Sequence, residues 1–271
     1  MEPRPSQPSQ PAQPSPPILE AQGLSKSFRG LRALEDYQVR LAPGSIHGVI
    51  GPNGAGKTTL FHLLSGFLPP TSGTIRFESR DVTGQPAFRI SRMGVGRTFQ
   101  NIRLFGDLSV LENVLIAVQR RSRWSPLGAV LSTPGFLRAE RELRAQAFDL
   151  LELFGLTRLA DRTARSLPYG DQRRLEIARA VGAKPRVLLL DEPNAGMNPI
   201  ETQDLLGLIR RLRDELGITI VLVAHDIPLV MNLCDRIQVL NYGRLIAEGE
   251  PAAVRENPDV IAAYLGQARH A

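Results

Sequence analysis

Cysteine, lysine and long apolar runs are all scarce in this chain, and each shortage closes off a class of function. The one cysteine, Cys234, has no intrachain disulfide partner and sits beside no CxxC pair or histidine cluster. Neither a disulfide framework nor a zinc site is therefore supported, and a reducing, cytosolic setting fits. The only lysines are Lys26, Lys57 and Lys184, so the net charge of +6 comes almost entirely from arginine. Those arginines are scattered, with short pairs such as Arg120-Arg121, Arg173-Arg174 and Arg210-Arg211. A bias of this kind reads as codon usage rather than as a nucleic-acid-binding surface. The longest apolar runs, Val187 to Leu190 and Ile218 to Ala224, fall far short of the roughly 20 residues that cross a bilayer, so no transmembrane helix is expected. The chain starts without the basic residues and apolar run of a signal peptide, and residues 1–17 are rich in Pro, Ser and Gln, the composition of a disordered tail.

What is present is enough for a substantial core: 271 residues suit one α/β domain carrying a helical subdomain. Ile18 to Phe28 and Tyr37 to Leu41 read as short strands joined by a turn around Gly30, and Ser45 to Ile50 as a buried strand. Residues 109–120 and 138–154 are predicted helical. Between them Ser122 to Phe136 carries Pro126, Gly128, Pro134 and Gly135, which predicts an irregular insertion. The second half alternates helix 170–183, strand 186–190, helix 199–216 and strand 218–223. Leu205, Leu208, Ile209, Leu212 and Leu216 recur at helical spacing, while Val187 to Leu190 is apolar at every position, as a parallel strand covered on both faces should be. That alternation predicts a parallel α/β sheet.

The chemistry concentrates in three places. Gly51-Pro52-Asn53-Gly54-Ala55-Gly56-Lys57-Thr58 matches G-x-x-x-x-G-K-[ST] between a predicted strand and a predicted helix, with Thr59 continuing it. Glycines let backbone N–H groups turn toward phosphate, a helix N-terminus adds positive potential, Lys57 reaches the β- and γ-phosphates, and the Thr58 hydroxyl can ligate magnesium. Asp191 and Glu192 stand at the exit of the apolar strand, where Asp191 suits a magnesium ion and Glu192 suits polarising a water. Acids at strand ends also cap helices, and it is the phosphate loop upstream that favours the chemical role. His225 follows the last predicted strand at the same edge, placed to contact a γ-phosphate and to position Glu192.

In this order the motifs resemble those of the ATP-binding-cassette ATPases, over about residues 18–266, with the helical subdomain at about 101–183, the insertion at 122–136 and a short tail at 267–271. The resemblance implies a P-loop NTPase core of parallel sheet flanked by helices, an antiparallel β subdomain at the N-terminal end, and ATP and Mg2+ as cofactors. It places Phe28 where an aromatic ring stacks on adenine. Gln100, in Arg97-Thr98-Phe99-Gln100, falls at the glutamine that meets magnesium and the membrane subunit. Leu167-Pro168-Tyr169-Gly170-Asp171 occupies the signature segment that reaches across a dimer to the partner's ATP. Pro168 and Asp171 replace that segment's usual serine and glutamine, and Asn198 replaces a usual aspartate. Both departures point to unequal sites in a dimer.

The finer resemblance is to one ATPase subunit of bacterial branched-chain amino-acid importers, carried by Thr98 to Phe105, Leu167 to Ala180, Ala195 to Pro199 and Asn257 to Gly266. It implies a second, different ATPase subunit, two permease subunits, a periplasmic solute-binding protein and a place on the cytoplasmic face of the inner membrane. Importers of urea or other amides and exporters of lipid or lipopolysaccharide share the catalytic motifs and stay open as alternatives. DNA- or ribosome-acting relatives carry long coiled-coil or zinc-bearing insertions, or two cassettes, none of which is seen here.

Overall fold

A computed structural model describes residues 16–120, 133–224 and 226–265. The expected tail, most of the insertion, His225 and the last residues lie outside that range. The first layer is an antiparallel sheet in the order β2-β1-β4-β5, made of β1 (Leu19–Phe28), β2 (Leu31–Leu41), β4 (Ser72–Phe77) and β5 (Arg80–Asp81). Its hairpins turn in two residues: Arg29 and Gly30 join β1 to β2, and Glu78 and Ser79 join β4 to β5, all four with positive φ. That geometry matches the right-handed twist of the flanking strands.

The second layer is a six-stranded sheet in the order β10-β9-β3-β8-β7-β6. It comprises β3 (Ile46–Ile50), β6 (Val95–Arg97), β7 (Val187–Asp191), β8 (Thr219–Val223), β9 (Arg236–Asn241) and β10 (Arg244–Gly249). All neighbours pair in parallel except β10, which closes one edge in antiparallel fashion. Alternation along each strand divides the core in two. Val49, Val187, Leu189, Val221 and Val223 pack with α1 (Lys57–Leu64) and the antiparallel sheet. Ile46, Ile50, Leu188, Leu190, Ile220 and Leu222 face the helical side.

That side is built from α3 (Val110–Gln119), α4 (Pro134–Leu153), α5 (Tyr169–Gly182) and α6 (Pro199–Leu216). Ser109 and Glu112 form a reciprocal capping box at the start of α3. The helix α2 (Ala87–Met93) leads into β6, and α7 (Ile227–Leu233), α8 (Pro251–Arg255) and α9 (Pro258–Leu265) complete the C-terminal part.

The structure departs from the sequence reading at two points. Pro134 and Gly135, which the sequence predicts to break any helix within the insertion, are the first residues of α4: Thr133 accepts from the Phe136 N–H, and a proline at the first helical position has no N–H to lose. Strand β2 also begins at Leu31 rather than Tyr37, because the tight hairpin carries pairing up to Phe28 opposite Leu31.

Candidate functional site

The buried strand β3 delivers the chain to Gly51, where φ is +150° and an added Cβ would fall on the carbonyl oxygen of Leu240 in β9. At Gly56, with φ +103°, a Cβ would meet the carbonyl oxygen of Ala33 at 2.6 Å. Only glycine fits either place. Gly56 caps α1 without any side-chain bond, so the first N–H groups of that helix keep their capacity for an anion. Lys57 is buried, and its Nζ donates to the carbonyls of Gly51 at 2.6 Å and Pro52 at 2.8 Å. Burial pushes its pKa down, while the carboxylates of Glu192 and Asp191 pull it back up. A cleft of about 430 Å3 opens over this loop, lined by Asn53 to Thr59, Leu31, Arg32, Ala33, Gln100, Glu192 and Tyr242. A nucleotide tail needs this set: backbone donors, one ammonium and hydroxyls.

The acidic end of β7 arrives beside it. Glu192 has φ +47°, and its N–H donates to Val223 O at 2.9 Å across to β8. Gln100 donates from Nε2 to Glu192 Oε2 at 3.5 Å, so the two side chains meet over the cleft. Asp191 is only 3% exposed, and its carboxylate accepts from Arg97 Nη2 at 3.1 Å while its N–H donates to Thr98 Oγ1. Arg97 is held in turn by Ser65 Oγ at 2.9 Å and lies over the rings of Phe61, Phe67 and Phe99, within 5.7 Å of each centroid. No cluster of three or more metal-ligating side chains occurs among the described residues. Thr58 and Gln100 on the cleft wall, and Asp191 behind it with its carboxylate held by Arg97, are hard oxygen donors too few to cage an ion alone. This suits magnesium, which takes phosphate oxygens and water for the rest of its shell.

The signature residues stand apart from this chain's own cleft. Pro168 is the N-cap of α5, Tyr169 its first residue, and Asp171 lies in the first turn. Gly170 packs against Glu201, where an added Cβ would meet Oε1 at 2.7 Å, and the Tyr169 ring covers Gly196. Asn198 caps α6, accepting from the N–H groups of Ile200 and Glu201. Phe28 does not line the cleft: it ends β1 opposite Leu31, 41% exposed, with the Lys26 ammonium 5.3 Å above its ring. The aromatic ring on the cleft wall is Tyr242, 85% exposed at the β9–β10 turn, which the sequence reading passed over. It passed over Arg97 and Arg173 as well. Arg97 ends the three-residue strand β6, paired with Leu189 two residues before Asp191, and only that register brings its charge to the carboxylate.

A family model described as ABC transporter matches residues 34–195. The chain is 48% identical to the high-affinity branched-chain amino acid transport ATP-binding protein BraF of Pseudomonas aeruginosa, over 93% of this chain and 99% of that protein. The chain belongs to the ABC transporter family of ATP-binding cassettes. A second family model, described as branched-chain amino acid ATP-binding cassette transporter, matches residues 244–270. LivG of Escherichia coli K12, named for the same transport, is also 48% identical over 93% of this chain. The lipopolysaccharide export ATP-binding protein LptB of Escherichia coli is 35% identical over 92% of this chain and 97% of its own length.

Among solved structures, an ATP-binding cassette in its ADP conformation superposes with a TM-score of 0.80 at 33% identity, covering 92% of this chain and 99% of that one. A nucleotide-free cassette gives 0.79 at 31%, with 92% and 98% covered. The cassette is therefore a P-loop NTPase in fold and a nucleotide-binding ATPase in activity, working with the membrane components of a transporter. No helix among its described residues is long and apolar enough to cross a membrane.

Proposed function

We propose that this cassette is one of two ATPase subunits of an importer for branched-chain amino acids. It would work at the cytoplasmic face of the membrane with two permease subunits and a second cassette of different sequence, and a solute-binding protein would deliver substrate from outside. The match at residues 244–270 carries this reading, because the catalytic motifs are common to importers and exporters and the C-terminal segment is not. The difference between 48% identity to BraF and 35% to LptB supports it.

In the proposed cycle the phosphate loop, Gly51 to Thr59, holds ATP in its backbone N–H groups, and Lys57 leaves the loop carbonyls for the phosphates. The Pro168 to Asp171 turn lies away from its own cleft, as a segment meant for the partner cassette's nucleotide should. Closure of two cassettes then buries two nucleotides between loop and turn. Thr58, Gln100 and Asp191 would hold Mg2+, whose charge offsets that building on the phosphate oxygens. Glu192 orients the attacking water and draws its proton, with Gln100 at its carboxylate and His225 proposed at the γ-phosphate. Pro168 offers no hydroxyl and Asp171 adds an acidic group to the anion-facing turn, so the nucleotide opposite is hydrolysed more slowly than its twin.

Uptake of labelled leucine and, separately, labelled urea by cells carrying Glu192→Gln tests the reading. Loss of leucine uptake alone is expected. Loss of urea uptake alone would move the cassette to an amide importer, and no change in either would bring the exporter alternative forward.

A further inference from the structure

We propose that Arg173 is a positioning residue for hydrolysis, fixing Glu192 and Gln100 through one buried guanidinium on α5; the inference rests on the ATPase reading above. Arg173 is fully buried, the largest side chain so enclosed among the described residues. Its three nitrogens reach five backbone carbonyls and one carboxylate. Nη1 donates to Phe99 O and to Glu176 Oε2, both at 2.6 Å. Nη2 donates to Glu192 O at 2.7 Å, Asp191 O at 3.1 Å and Gln100 O at 3.4 Å. Nε donates to Pro193 O at 3.3 Å. Glu176, 2% exposed, completes the brace by accepting from the N–H groups of Phe99 at 3.4 Å and Arg103 at 3.2 Å.

These partners belong to two segments with no direct sequence link, the loop after β6 and the exit of β7, and they carry the two side chains that meet over the cleft. The backbone at Glu192 is in the left-handed region, a costly conformation for a residue with a Cβ, so surrounding contacts must hold it there. Its N–H is tied to β8 and its carbonyl to Arg173. The guanidinium thus sets the peptide plane from which the Glu192 carboxylate is aimed. A planar fork can serve several carbonyls in fixed directions, and a lysine ammonium on a flexible stem cannot. Because Arg173 sits one turn along α5 from Pro168 to Asp171, a shift of that helix on meeting a partner's nucleotide would be felt at Glu192 and Gln100 directly.

The test is ATP hydrolysis by the assembled transporter carrying Arg173→Lys, Arg173→Gln or Glu176→Gln, with nucleotide affinity read from a fluorescent ATP analogue and folding from thermal melting. For Arg173→Gln the expected result is kcat lowered about 10- to 100-fold, the scale of a roughly 1 Å misplacement. KM and analogue affinity should stay within about twofold, as for an interaction used only in the reaction step. Arg173→Lys should fall between this variant and the unmutated complex. Glu176→Gln keeps the guanidinium in place without its charge partner, so a smaller drop in kcat at unchanged KM is expected even if Arg173→Gln does not fold. Unaltered kcat in the variants that fold, or a loss of turnover in them matched by lost affinity, would overturn the positioning role. Absence of turnover in the unmutated complex would overturn the ATPase reading, and this inference with it.

Discussion

Asp191 and Arg97 are both about 95% withdrawn from solvent, so each charge depends on the other. Removing one partner of such a pair strands the other, which typically costs about 3–5 kcal/mol, whereas an apolar pair of like volume can be neutral. Arg97→Gln should therefore lower the unfolding free energy by about 3 kcal/mol in urea titration, and Arg97→Met with Asp191→Leu should recover most of it. A loss below about 1 kcal/mol would mean that the pair is screened. Burial also decides Cys234, whose thiol pKa is pushed up and whose sulfur lies against Gly48, so alkylation of the native chain should be negligible beside that of the unfolded chain. The phosphate-loop residues were legible in the sequence because their spacing encodes a backbone shape. Arg97 and Arg173 were not, since an arginine in an arginine-rich chain says nothing of its burial until the strands beside it are placed.

Among the elements, β7, β8 and α6 were legible because their apolar patterns are unambiguous, and the ends of α6 carry caps. The Asn198 to Glu201 capping box is one such end. Asn198→Ala should cost about 1 kcal/mol, while Asn198→Asp, an equally good cap, should change stability by only a few tenths of that. Equal losses from both substitutions would show that the amide makes a contact beyond the cap. The hairpin of β4 and β5 escaped notice because its turn, Glu78 and Ser79, adopts positive φ with no glycine to announce it. Strand β6 is three residues long, too short for a period, and α4 starts before the predicted residue 138 because its proline sits where proline starts a helix.

At the scale of the whole molecule, the parallel sheet buries an imidazole. His47 in β3 has its pKa pushed from 6.5 to about 4 by desolvation, which the nearby Glu248 and Asp235 only partly offset and Arg236 reinforces. The folded state thus stays neutral where the unfolded chain takes up a proton, so stability is complete above pH 6.5 and falls as the pH drops toward 4. Between pH 7.5 and pH 5 the loss from this one group should be about 2 kcal/mol, and His47→Gln should show that much less acid sensitivity in urea unfolding; identical slopes would place the imidazole in water. The layered architecture that buries His47 also brings the phosphate loop, Gln100 and Glu192 to one sheet edge, and that convergence is the basis of the functional account. The most direct test is to compare nucleotide binding and steady-state ATP hydrolysis by the assembled transporter with and without Glu192→Gln. The account predicts that the variant binds ATP as tightly as the unmutated complex and has lost turnover at this chain's site. Undiminished hydrolysis, in a complex where this chain supplies the only competent Glu192, would contradict it.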